Sequence, residues 1–111
     1  MIKLKALRQI LKACADDTRL RILNILNHKE LTVKELCGVL NISQPTISKH
    51  LSRLRLLKIV NDKRAGNLVY YSLNKNHDSL QGKISSFIVS QFSDITAFKK
   101  DKEAMRDLKK R

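Results

Sequence analysis

The sequence predicts a mainly α-helical fold with one small β-hairpin, and three observations carry that expectation. Residues 40–57, LNISQPTISKHLSRLRLL, place Ile47, Leu51, Leu54 and Leu57 at steps of four, three and three, the spacing of one apolar stripe on a helix. Helical periodicity of the same kind recurs toward both ends of the chain. After Leu57 the period changes. Residues 59–64 and 68–73 are rich in β-branched and aromatic side chains and flank Ala65-Gly66-Asn67, the pattern of a hairpin.

Taken in order, residues 2–15 read as an amphipathic helix with Leu4, Leu7, Leu11 and Cys14 in one stripe, Ile10 beside it and a basic opposite face. Asp16, Asp17 and Thr18 interrupt that pattern and supply caps and early-turn negative charge for a second helix, rich in Leu and Ile on most sides and therefore central to the core. Thr32 followed by Glu35 is a capping box that opens a short helix to about Leu40. Val33, Leu36, Cys37 and Leu40 are expected to face inward. Asn41-Ile42 is then a tight turn, and Ser43 is the expected N-cap of the next helix, its hydroxyl accepting from a first-turn amide. Pro45 just inside the start costs no hydrogen bond there.

Two helices joined by so short a turn, 32–57, followed by a hairpin over 59–73, form a winged helix-turn-helix layout. A further helix is expected from about Asp78 to Gln91, with Leu80, Ile84, Phe87 and Ile88 apolar. Ser93 or Asp94 is expected to cap a last helix, 95–110, whether separate or one bent helix with its predecessor.

The 111 residues set one domain, 1–111, as the expectation, and 42% hydrophobic residues suffice for a small core that gains from dimerisation. Lys and Arg outnumber Asp and Glu 23 to 10, a net charge of +13, which points to an anionic partner, nucleic acid before a membrane surface. Two cysteines are too few for a disulfide framework, and no apolar run approaches membrane-spanning length; a cytoplasmic protein is expected.

The face of 43–53 away from the apolar stripe holds Ser43, Gln44, Thr46, Ser48, Lys49, His50 and Arg53, with no acid. Such a face suits the DNA major groove: Gln can bond adenine bidentately, Lys and Arg reach guanine or phosphate, and Thr offers a methyl and a hydroxyl. Lys63, Arg64 and Asn67 are expected at the hairpin tip, where cations can lie along a phosphate backbone or enter a minor groove.

Three blocks, Asp17-Thr18-Arg19-Leu20-Arg21-Ile22-Leu23, then residues 43–51, SQPTISKHL, then Gly66 with Val69-Tyr70-Tyr71-Ser72-Leu73, resemble the ArsR/SmtB family of bacterial repressors. The resemblance covers nearly the whole chain. It implies a homodimer held by the first and last helices, recognition helices in successive major grooves of an imperfect palindrome in double-stranded DNA, and release by an inducer. Ser43, Gln44, Thr46, Ser48, Lys49 and His50 carry over as recognition residues; Arg53, Lys63, Arg64 and Asn67 are added from charge and placement.

The chain departs from the family at its inducer sites. Metal-responsive members often carry E-L-C-V-C-D-L-C on the third helix, whereas here residues 30–37 read ELTVKELC, with Thr32 and Lys34 in place of the first two thiolates. A soft-metal site needs converging thiolates, and an ammonium repels the cation. The family's other site uses acids and histidines on the C-terminal helix, but residues 80–92 contain no His, Asp or Glu. No metal site and no cofactor are therefore expected. Cys14 and Cys37 lie on apolar stripes, as small core residues or as a thiol-sensing pair. His28 and His77 fall in expected loops. No paired carboxylates, phosphate loop or nucleophile–base set argues for an enzyme. The alternatives to an inducible repressor are an architectural DNA-binding protein without an inducer and a winged-helix protein-interaction module.

Overall fold

The computed structural model describes residues 3–108. Ile2 and residues 109–110, included in the expected terminal helices, lie outside them. The elements run α1 (Leu4–Cys14), α2 (Asp17–His28), α3 (Val33–Leu40), α4 (Gln44–Leu56), β1 (Val60–Ala65), β2 (Leu68–Leu73), α5 (Leu80–Gln91) and α6 (Thr96–Arg106). This is the winged helix-turn-helix layout, and the C-terminal region is two helices rather than one.

The expected caps of α2 and α3 form. Asp16 accepts from the Arg19 amide, and Thr32 and Glu35 close a reciprocal capping box. α2 runs through the middle of the core: Ile22, Leu23, Ile25 and Leu26 are buried against Leu36 of α3 and against Ile47, Leu51 and Leu54 of α4. That burial removes several Leu and Ile side chains from water, each worth about 1.5–3 kcal/mol.

α4 ends in a Schellman motif. The Ile59 amide bonds the Leu54 carbonyl and the Lys58 amide bonds the Arg55 carbonyl, with Lys58 at φ 61° in the left-handed position usually held by glycine. The reversal sends the chain straight into the wing. β1 and β2 pair antiparallel from Val60↔Leu73 to Ala65↔Leu68, so Gly66 and Asn67 form a two-residue turn. Gly66 at φ 63° supplies the positive first dihedral that such a turn requires. Leu31, between α2 and α3, exchanges two backbone hydrogen bonds with Tyr71 and ties the wing to the core.

α5 is capped by Ser79, whose hydroxyl accepts from the Gly82 amide, so the helix starts at Leu80, later than expected. It turns its small face, Gly82, Ser85 and Val89, into the core. The expected apolar stripe is only partly covered: Leu80, Ile84 and Ile88 are half-buried and Phe87 is exposed. Likewise α1 buries Ile10, Ala13 and Cys14, while Leu4 and Leu11 of its expected stripe face solvent.

Neither Ser93 nor Asp94 caps α6. The N-cap is Ile95, with no side-chain hydrogen bond, because residues 92–95 turn before the helix begins. α6 folds back on α2 and α3 with Phe98 and Asp101 buried, so its inner face is spent within the protomer.

Candidate nucleic-acid interface

Ile47, Leu51 and Leu54 fix the rotation of α4 by their burial, and that rotation presents the polar face outward. Ser43, Gln44, Thr46, Lys49 and Arg53 are exposed; Ser48 and His50 are half-buried. Ser43 stands at the N-cap position, but its hydroxyl does not cap. It donates to the Thr46 hydroxyl at 3.0 Å instead. Pro45, the second helical residue, has no amide to offer it, and the hydroxyl is engaged with the side chain of Thr46 rather than with its amide. The two hydroxyls thus form one polar pair at the start of α4.

His50 is held from behind. Nε of Arg19, on α2, donates to its Nδ1 at 3.0 Å, while Nη1 of the same arginine reaches the Ala13 carbonyl at the end of α1 at 3.4 Å. An accepting Nδ1 carries no proton, which leaves Nε2 as the imidazole's donor. His50 is therefore braced to the body of the domain, a partner that its position in the sequence did not disclose.

In the wing, Lys63, Arg64 and Asn67 are exposed. Lys63 pairs with Tyr70 and Arg64 with Val69, and successive strand residues point to opposite faces. The two cations therefore flank the ribbon on either side, and Asn67 occupies the turn.

An open cleft of about 640 Å³ lies between the wing, the start of α3 and the start of α4. Gln44 and Asn67 both line it, so the structure brings together one expected residue from the helix and one from the wing. Lys34 and Tyr70 line it too. Sequence reasoning gave Lys34 only the place of a missing thiolate; a lysine in the first turn of the helix preceding α4 was the available signal for a cation on this face.

Cys14 and Cys37 are both free thiols. Cys14 is buried, and that burial pushes its thiol above the usual range against a smaller opposing effect of Arg19. Cys37 is half-buried and packs against the core. His28, at the end of α2, is held below the usual histidine range by burial and by Lys102, Lys75 and Arg106. His77 is exposed. Among the described residues, no three His, Cys, Asp or Glu side chains gather closely enough to hold a metal ion, and no helix is long and apolar enough to cross a membrane.

A buried three-helix core, a short turn into an exposed acid-free helix and a cationic hairpin behind it define a winged-helix DNA-binding regulator. Residues 16–62, from the cap of α2 into β1, match the profile of the family described as bacterial regulatory protein, arsR family. The transcriptional repressor SdpR of Bacillus subtilis is 38% identical over 68 residues, 61% of this chain and 76% of that protein. The arsenic resistance transcriptional regulator ArsR1 of Pseudomonas putida is 48% identical over 66 residues, 59% of this chain and 52% of that protein. Among solved structures, reduced HlyU from Vibrio cholerae superposes with a TM-score of 0.68 at 31% identity, covering 79% of this chain and 90% of that one. The chain belongs to the ArsR family: it is a DNA-binding transcriptional regulator, of a family whose members are not enzymes.

Proposed function

We propose that this regulator acts as a symmetric homodimeric repressor that sets its two α4 helices in successive major grooves of an imperfect palindrome and leaves the DNA when an inducer binds. In this reading Gln44, Ser48 and Thr46 meet base edges. Ser43, Lys49, Arg53 and one of the two wing cations meet phosphates, and Asn67 approaches the backbone from the turn. His50 contributes through Nε2. The single observation that carries the dimer is the set of exposed apolar side chains on a domain whose core is already closed: Leu4 and Leu11 on α1, Phe87 on α5 and Phe92 just beyond it. Phe87 and Phe92 meet edge to face, with ring centroids 6.1 Å apart, and present one aromatic platform. Because α6 spends its inner face within the protomer, the interface rests on α1 and α5.

Cys37 is the more accessible of the two thiols and is the residue a thiol-directed inducer would reach. A cytoplasmic site of action follows from the DNA target.

The test combines light scattering at micromolar concentration with footprinting of the DNA upstream of the protein's own coding region. A dimer protecting two half-sites about 34–36 Å apart, one duplex turn, is expected. A monomer, or one isolated protected half-site, would sink the dimeric reading. A specificity ratio near one against scrambled duplex would point to the architectural alternative.

A further inference from the structure

Arg21 of α2 engages two other elements at once. Its Nη2 donates to the Leu40 carbonyl at 3.1 Å and to Asp101 Oδ1 at 2.9 Å, and its Nε donates to Asp101 Oδ2 at 2.9 Å. Leu40 is the last residue of α3, and its carbonyl is among the four that the helix leaves without an amide of its own. A guanidinium there satisfies that oxygen and complements the negative end of the helix dipole. The next residue, Asn41, takes the left-handed conformation, φ 56°, that turns the chain toward Ser43 and α4.

Asp101 comes from α6, outside the stretch matched by the family profile, and is 4% exposed. It grips the guanidinium bidentately, which fixes the plane of the fork as well as its position. Two further contacts hold α6 on α2: Phe98 is buried, and Nδ2 of the buried Asn24 donates to the Phe98 carbonyl at 3.4 Å. The chain of contacts therefore runs from α6 through Arg21 to the carbonyl immediately before the α3–α4 turn. Neither member of the ion pair lies on the outward face of α4 or in the wing.

We propose that Arg21 and Asp101 are positioning residues for DNA binding: docked α6, acting through Arg21, sets the angle at which the recognition helix leaves its turn. The inference rests on DNA binding through α4. Loss of the carboxylate frees the guanidinium to rotate, the Leu40 carbonyl loses its fixed donor, and the turn relaxes. The DNA-facing side chains stay intact but are no longer presented at the angle the groove requires.

The experiment uses the full chain and a fluorescent duplex selected by the wild-type protein from a random-sequence pool. Asp101→Asn, Arg21→Lys and the core control Ile25→Val are compared by anisotropy well below their melting temperatures, with backbone amide shifts of Asn41, Ile42 and Ser43 as the local readout. Arg21→Lys keeps the charge but not the fork, so it serves if Asp101→Asn fails to fold. Expected are amide shifts confined to the turn and its neighbours, with at least fivefold weaker binding for Asp101→Asn or Arg21→Lys. Ile25→Val should lose melting temperature without losing affinity. Affinity within twofold of wild type in the latch variants, or an equal loss in Ile25→Val, would overturn the proposal. If the wild type selects no duplex, the DNA-binding reading itself fails, a result distinct from either.

Discussion

Arg19 and His50, 31 positions apart, are joined by one side-chain hydrogen bond of 3.0 Å that ties the core helix α2 to the middle of α4. A part-buried bond to a charged donor contributes about 1.5–3 kcal/mol, less where solvent reaches it. His50→Ala is expected to lower stability by about 1 kcal/mol, and Arg19→Ala by somewhat more, because it also gives up the Ala13 carbonyl. The double variant should cost less than the sum of the two singles. Urea unfolding of the four proteins checks this; strict additivity would show that the bond contributes nothing.

Two helical glycines should respond to alanine with opposite signs. A methyl at Gly82 would overlap the backbone of Asn76, which the α5 helix approaches closely, whereas one at Gly38 meets nothing within 4 Å. Alanine favours a helix by about 1 kcal/mol over glycine, so Gly38→Ala should stabilise by up to that amount. At Gly82 the clash is with main chain, which yields poorly, and a net loss of about 1–3 kcal/mol is expected. Thermal melts of both variants decide it; a stabilised Gly82→Ala would mean that the 74–79 loop moves aside freely.

The ion pair of Arg21 and Asp101 should be asymmetric to truncation. Arg21→Ala strands a buried carboxylate, at a cost of about 3–5 kcal/mol for breaking a buried pair. Asp101→Ala leaves a guanidinium that is partly open to water and can be hydrated, so its cost should be clearly smaller. Equal losses in chemical denaturation would contradict the burial difference.

Base readers and backbone contacts should separate in binding experiments. Gln44→Ala and Ser48→Ala are each expected to cost about 1–3 kcal/mol on the preferred duplex and little on scrambled DNA. Of Lys63→Ala and Arg64→Ala, the one that removes the DNA-facing cation should weaken all duplexes alike and the other should change little. Because the two side chains leave opposite faces of the wing, only one of them should lower the salt slope by about one. An unchanged specificity ratio in Gln44→Ala would remove α4's first turn from the recognition face.

His28 makes stability depend on pH. Burial first, then Lys102, Lys75 and Arg106, holds its folded value below the ordinary 6.5, so the unfolded chain takes up the proton more readily. The contribution is complete above about pH 6.5 and is lost as pH falls through the depressed folded value. His28→Gln should flatten the fall in stability as pH drops below about 6.5. An unaltered slope in denaturant titrations below that pH would assign the dependence to other groups.

Element order and type were legible in the residues because the forces that set them act over three or four positions. The Asp16 cap, the Thr32–Glu35 capping box and the stripe of Ile47, Leu51 and Leu54 are local patterns that took the expected form, and the Gly66 hairpin formed with a tighter turn than expected, Ala65 joining β1 and Lys63 and Arg64 lying within the strand rather than at the tip. The outward face of α4 followed from its buried stripe. The failures are also physical. Ser43 satisfied the N-cap preference, yet its hydroxyl pairs with the Thr46 hydroxyl instead of a first-turn amide. Within α1 and α5 the smaller residues Ala13, Gly82 and Ser85 allow the closest approach to the core and leave Leu4, Leu11 and Phe87 of the apolar stripes in solvent, a division that periodicity alone does not make.

By itself, then, the sequence determined a winged helix-turn-helix whose α4 turns a cationic, acid-free face outward. Only the tertiary structure decided what braces that face. The Leu31–Tyr71 bridge, the Arg19–His50 bond and the Arg21–Asp101 pair join residues 40, 31 and 80 positions apart. No periodicity or cap rule spans such distances, because those contacts exist only once burial of the apolar stripes has brought the helices together.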